Sequence, residues 1–286
     1  MTHDRTGDGK IDVNDLEWQY LEGDGDFRSH EITKLRDESD IIITNPPFSM
    51  FREFLAWIVE ADKQFSIIGN MNAITYKEVF PLIKDNKMWL GATGNGSDMV
   101  FGVPEEAEVA EKDRQKAARL GYIGNYTRLG NSCWFTYIDH GRRHQPLNLM
   151  TMADNLKYSK HKEVKGRKSY GHYDNYDAIE VQFTDTIPSD YDGVMGVPIS
   201  FLDKYNPEQF IILGTSDNGI IDDKYKRTPG LTKEFVDDYY KAGGTGSYKE
   251  GNPTAGYYEN NIAKMAYKRI FIKHKKVKKN DNDTKN

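Results

Sequence analysis

Up to residue 90 the apolar positions alternate between short unbroken runs and helical stripes. Asp40 to Thr44 (DIIIT) is a β-branched run that predicts a strand buried on both faces. Asn45-Pro46-Pro47-Phe48 follows at once, and its prolines, lacking N–H donors, stop strand pairing. Ser49 can then cap a helix, because Phe51, Phe54, Leu55, Ile58 and Val59 recur at helical spacing and form one apolar stripe. Gln64 to Gly69 predicts a second buried strand. Thr75 with Glu78 reads as a capping box opening another helix, which Pro81 kinks or restarts, and Lys87 to Leu90 predicts a third strand. This alternation argues for a parallel α/β sheet with helices on both faces.

Farther on, Glu105 to Leu120 predicts a charged helix, and the aromatic and β-branched stretch from Tyr122 to Asp139 predicts a hairpin turning at Gly130-Asn131. Beyond residue 140 the pattern is weaker. Helical signals lie at Ser200 to Tyr205, and strand signals at Phe210 to Leu213 and Arg269 to Lys273. Asp217 to Asn260, rich in Gly, Asp, Lys and Tyr, predicts a long surface insertion. No internal repeat is present.

Composition narrows the class. With 286 residues, 37% hydrophobic and 29% charged, the chain can hold one large or two modest globular domains. No apolar run approaches the ~20 residues needed to cross a bilayer, and the start lacks a secretion signal, so a cytoplasmic protein without membrane contact is expected. A single cysteine, Cys133, excludes an internal disulfide; its apolar setting predicts a buried core residue and not a nucleophile. The seven histidines show no metal-ligand spacing, His140 and His144 read as surface residues, and no metal is expected. Asp4 to Asp15 has the oxygen spacing of a calcium loop but reads as a flexible acidic turn.

The net charge of −5 is unevenly spread. Lys157, Lys160, Lys162, Lys165, Arg167 and Lys168 form one basic cluster; Lys264, Lys268, Arg269, Lys273, Lys275, Lys276, Lys278 and Lys279 form another. Such asymmetry permits a local phosphate-binding surface on an acidic protein, although the second cluster equally suits a solvated face with a lysine tail. The first cluster, with its interleaved tyrosines, could grip phosphates and stack bases.

Asn45-Pro46-Pro47-Phe48 carries the chemistry. At the carboxyl end of a strand in an open α/β sheet it lies where ligands bind. The Asn45 side-chain carbonyl and the Pro46 carbonyl, held by the fixed φ of proline, can each accept one N–H from a planar amine or amide. Pro47 stiffens the next peptide, and Phe48 offers a ring for stacking. Asn70 and Asn72 fall at the same sheet edge and suit either a pocket wall or a turn.

The chain resembles the EcoRI-type adenine-specific DNA methyltransferase family. The resemblance rests on GDGDFRS (23–29), DIIITNPPFSMFREFL (40–55), IIGNMNAITYKEVFPLIK (67–84), YDNYDAI (173–179), GVMGVPISFLDKYNPEQF (193–210) and YKRIFIKHKK (267–276). It implies a Rossmann-like α/β sheet, S-adenosyl-L-methionine (AdoMet) as cofactor, double-stranded DNA as substrate and N6 of an extruded adenine as target. No obligate protein partner is implied. Asn45, Pro46, Pro47 and Phe48 would be the catalytic residues. Asp26 and Phe27 would hold the cofactor adenine, and Lys160, Lys162, Lys165, Arg167 and Lys168 would contact DNA. Family members carry a substantial segment before GDGDFRS where only residues 1–22 lie here, and no Gly-rich cofactor loop precedes NPPF. The expected organisation is therefore a partial methyltransferase core over 1–140 and a target-recognition region with return strands over 141–286. Two other readings remain: an inactive DNA-binding fragment of that family, or an NPP-loop methyltransferase acting on RNA or on a protein glutamine.

Overall fold

The computed structural model describes residues 3–11, 13–15, 20–92, 99–216 and 230–275. Helix α1 (His30–Glu38) starts where the Ser29 hydroxyl accepts the Ile32 N–H at 3.3 Å. Strand β1 (Ile41–Thr44) follows, then a 3-10 turn over Phe48–Met50 and helix α2 (Phe51–Glu60). Phe51, Phe54, Leu55 and Ile58 are buried on the predicted stripe. Ser49 is not the cap. It lies inside the 3-10 turn, which closes through Met50 N–H donating to the Pro47 carbonyl at 2.9 Å.

Strand β2 (Gln64–Asn70) is the buried strand expected. The capping box does not form, because the Thr75 hydroxyl donates back to the Asn72 carbonyl at 3.0 Å and closes a 3-10 turn over Met71–Thr75. Helix α3 (Phe80–Lys84) begins later with Pro81 in its first turn, where a missing N–H costs nothing. Strand β3 (Trp89–Leu90) completes this stretch. Strand β4 (Met99–Gly102), helix α4 (Glu111–Arg119), strand β5 (Tyr126–Leu129) and strand β6 (Ser132–Thr136) come next.

The predicted hairpin at residue 130 is not one. β5 pairs with β4 in a separate two-stranded sheet, whereas β6 lies antiparallel between β2 and β3. The chain changes sheets at Asn131 (φ +57), whose carbonyl accepts the Met71 N–H at 2.8 Å. The four-stranded order is thus β1-β2-β6-β3, with β1 and β2 parallel as expected and β6 reversed. Among the described residues β1 is an edge strand, and Ile41 and Ile43 are 47% and 67% exposed, against the expectation of burial on both faces. A run of isoleucines fixes the strand, but burying both faces needs elements packed on each, and Ile41 and Ile43 share the face left uncovered.

Among the described residues beyond 140 lie helix α5 (Met152–Tyr158) and a seven-stranded sheet. Its strands are β7 (Gly171–Tyr173), β8 (Ala178–Glu180), β9 (Val194–Pro198), β10 (Phe210–Thr215), then, after helix α6 (Lys233–Lys241), β11 (Gly256–Glu259), β12 (Ile262–Met265) and β13 (Arg269–His274). The order is β10-β13-β9-β8-β7-β11-β12, and among the described residues β8–β9 is its one parallel pair. The helical signal near residue 200 is a 3-10 turn, Ile199–Lys204. The predicted insertion is not bare loop: α6 packs Phe235 and Val236 with Leu231 and Ala263, while residues 217–229 lie outside the described residues. One apolar core joins both larger sheets, from Phe27, Leu55, Ile67 and Phe135 to Val197, Phe210 and Ile272. Among the described residues no helix is long and apolar enough to cross a membrane.

Gly69 sets how closely α2 approaches the sheet. A Cβ there would overlap the Phe51 ring and lie 2.9 Å from a Phe135 ring carbon. Gly69→Ala is expected to destabilise the fold by about 1–3 kcal/mol. Urea unfolding measures this, and an unchanged midpoint would mean that α2 can retreat without loss.

Candidate active site

The loop Asn45-Pro46-Pro47 opens into a cavity of about 420 Å³ lined by residues of α1, β1, α2 and the segment before α1. Asp26, Phe27, Thr44, Asn45, Pro46 and Pro47 all contribute to its walls. Two groups of candidates, separated in sequence, therefore share one space. Pro46 is buried and Asn45 is exposed at the mouth. No described residue donates a hydrogen bond to the Asn45 side chain or the Pro46 carbonyl, so both acceptors are available to a ligand. Phe48 is 42% exposed and does not line the cavity.

The floor is aromatic. Phe27 is buried and meets Phe54 and Trp57 edge-on, with ring centroids 5.1 and 5.5 Å apart. α1 is clamped onto α2 by Arg36, which lies 4.7 Å over the Trp57 ring and donates to the Trp57 carbonyl at 2.9 Å. The Trp57 indole N–H reaches the Thr33 hydroxyl at 3.4 Å. Ile32, Leu35, Arg36 and Trp57 were not among the residues singled out by sequence, although Trp57 lies one helical turn beyond Phe54 and Ser29 marks the start of α1. Asp26 lies at the rim. Arg28 Nε and Nη2 donate to its carboxylate at 2.9 and 2.6 Å, and these bonds hold the carboxyl down at about 2. It is an ionised acceptor at neutral pH; the Arg28 backbone N–H also donates to Oδ1, which leaves one acceptor site, on Oδ2.

The other candidates divide. Lys160 pairs with Asp185 at 2.8 Å, and Arg167 pairs with Glu259. Lys162, Lys165 and Lys168 are exposed. In the second basic cluster Arg269 is bonded to Glu180 and Lys264 to Glu259, whereas Lys276, Lys278 and Lys279 lie outside the described residues. Asn70 is a turn former: its side chain accepts the Asn72 N–H at 2.9 Å, and neither residue lines the cavity. Cys133 is buried as expected, and burial pushes its thiol up to about 12. His144 is half-exposed between Asp139 and Glu208, whose hydrogen bonds raise its pKa; His140 Nε2 lies 2.9 Å from the Leu90 carbonyl.

In the acidic loop near the start, Asp4 accepts the Gly7 and Gly9 N–H groups at 2.6 and 2.7 Å, and Asp15 accepts those of Arg5 and Thr6. Asp12 lies outside the described residues, and among those described no group of three or more His, Cys, Asp or Glu is placed to hold a metal.

The family model described as "Adenine-specific methyltransferase EcoRI" matches residues 1–275. The chain is 46% identical over 205 residues to the "Type II methyltransferase M.EcoRI" of Escherichia coli, covering 71% of this chain and 59% of that protein. It is 35% identical over 201 residues to the "Type II methyltransferase M.MgeORF184P" of Mycoplasma genitalium, covering 70% and 59%. The corresponding match to the "Type II methyltransferase M.MpnI" of Mycoplasma pneumoniae is 35% over 201 residues, covering 68% and 57%. The matched part of the chain thus spans less than two thirds of the length of these relatives. No solved structure matches it at a significant level.

Proposed function

The chain belongs to the EcoRI-type adenine-specific methyltransferase family, and from that premise we propose that it transfers a methyl group from AdoMet to N6 of an adenine extruded from duplex DNA. The observation that carries this reading is the shared cavity, which sets the free acceptors of Asn45 and Pro46 beside Asp26 and Phe27. The cavity fits the adenine end of AdoMet: apolar walls for the ring faces, and an ionised Asp26 at the rim to accept an exocyclic N–H. Bound there, AdoMet supplies an electrophilic methyl carried on sulfonium.

The chain's own residues prepare the acceptor. An adenine amine is a poor nucleophile because its lone pair is delocalised into the ring. Asn45 and Pro46 each accept one of its two N–H bonds, which favours a tetrahedral nitrogen with its lone pair free for attack. The rigid proline pair keeps both acceptors in place without reorganisation during reaction. Phe48, exposed outside the cavity, stacks on the extruded base.

In this reading β1, β2, β3 and β6 are part of a Rossmann-like methyltransferase sheet, and residues 141–286 supply target recognition and return strands. Exposed Lys162, Lys165 and Lys168 contact DNA phosphates. Lys160 joins them by exchanging its surface pair with Asp185, which costs little in water.

The test is transfer of labelled methyl from AdoMet to unmethylated duplex DNA, read as N6-methyladenine. Label on adenine is expected. No label despite salt-sensitive DNA binding would favour an inactive DNA-binding member, and label on RNA or on a protein glutamine in place of DNA would move the substrate. Asp26→Asn is expected to weaken AdoMet binding about 10- to 100-fold by calorimetry, since a hydrogen bond to a charged acceptor is lost. An unchanged affinity would remove Asp26 from the cofactor site.

A further inference from the structure

Outside the cavity, on another face of α2, lies a second group of side chains with an unassigned role. Met50, Phe54 and Trp57 turn toward the cavity, but Arg52 does not line it. Its guanidinium stands 5.5 Å from the ring centroid of Tyr76, which ends the 3-10 turn after β2. Tyr76 is 37% exposed, and Phe48, four residues before Arg52, is exposed in the loop just ahead of it. Lys77, exposed and 3.7 Å from the same Glu78 carboxylate that faces Arg52, adds a second cation.

Arg52 is loosely held. Glu78 lies 3.9 Å away at the limit of an ion pair, the Arg52 side chain is 62% exposed, and it makes no hydrogen bond to another described residue. The Glu78 carboxylate in turn keeps a buried Oε2 without a partner. A planar guanidinium with unused donors suits a phosphate, and exposed aromatic rings beside it suit nucleobase faces.

We infer that Arg52 and Tyr76 form, with Phe48, a ridge that holds the DNA strand carrying the extruded base. Arg52 takes a backbone phosphate of that strand, and Tyr76 stacks on a base neighbouring the extruded one. The inference rests on the proposed DNA-methyltransferase reading and extends it to a side of the NPPF loop that the cavity does not use. It also explains why two aromatic rings and a weakly paired arginine stay partly exposed beyond the carboxyl ends of β1 and β2: their partner is a polyanion with stacking surfaces.

The experiment is equilibrium binding of a short fluorescein-labelled duplex DNA over a range of salt concentrations, which needs no turnover. Arg52→Ala is expected to lose roughly ten-fold in affinity and to lower the salt slope by about 0.9, the signature of one lost phosphate contact. Arg52→Lys should keep the slope. Tyr76→Ala should lose roughly ten-fold with the slope unchanged, and Tyr76→Phe should bind as wild type, because stacking needs the ring and not the hydroxyl. Arg52→Ala with unaltered affinity and slope, or Tyr76→Phe falling as far as Tyr76→Ala, overturns the ridge alone. Wild type without salt-dependent DNA binding overturns the parent reading and the ridge together.

Discussion

Asn45→Ala is expected to slow methyl transfer by about 10²–10³-fold, the scale on which enzymes lose rate when one positioned polar group at the reacting centre is removed. The loss should appear in single-turnover chemistry and not in binding. Asn45 is exposed at the cavity mouth, and no described residue donates to its side chain, so alanine leaves no orphaned partner and the fold should be unaffected. DNA affinity and AdoMet affinity should stay near wild type, because the shape of the cavity is set by Phe27, Phe54 and Trp57. A variant that turns over at nearly the normal rate would sink the proposed role of Asn45. Loss of DNA binding with loss of rate would recast the residue as a binding group.

Arg269→Met should lower the stability of the fold by about 3–5 kcal/mol, because it strands a buried carboxylate. Glu180 is 3% exposed in β8, and Arg269 of β13 reaches it across β9 with Nε at 3.0 Å and Nη2 at 2.6 Å. The Tyr173 hydroxyl of β7 donates to the same carboxylate. Burial, reinforced by the Glu180 charge, raises the Tyr173 phenol well above its usual range and keeps it a donor. Burial alone would lower the Arg269 pKa, but its hydrogen bond and charge contact with Glu180 outweigh that and raise it. Gly196 of β9 makes room, since a Cβ there would overlap the Tyr173 ring and hydroxyl. Urea unfolding of Arg269→Met, Glu180→Leu and the double variant tests the account. The double variant should be more stable than Arg269→Met. A double variant as unstable as the sum of the singles would mean that the stranded charge is not the cause.

Parts of this molecule could be read directly from the chain. The stripe from Phe51 to Ile58 faces the core because a helix repeats every 3.6 residues, whatever lies opposite. The position of Asn45-Pro46-Pro47-Phe48 at the carboxyl end of a strand also followed from local pattern, as did the burial of Cys133 in its apolar run. Matches along the chain were long enough to identify the family. Local signals failed where two short-range options compete within a turn. Thr75 had the spacing of a cap but bonded backward to Asn72, and Ser49 was absorbed by a 3-10 turn.

The sequence by itself therefore determined helix α2 with its apolar stripe, the strand–loop–helix that presents the NPPF residues, and the family, whereas α6 was hidden in a stretch that reads as an insertion. Tertiary structure alone decided which strands are neighbours. β6 lies between β2 and β3 although the local pattern paired it with β5, and β1 is left at an edge although its isoleucines suit an interior position. It also decided which charges remain free, since Lys160, Arg167 and Arg269 meet Asp185, Glu259 and Glu180 from distant parts of the chain. Asp26 and Phe27 share a cavity with Asn45 because Phe27 packs on Phe54 and Trp57 while Arg36 ties α1 to α2. The reason is the range of the forces involved: periodicity and capping act within a turn or two, whereas strand adjacency, ion pairing and cavity shape depend on packing between segments that no local pattern encodes.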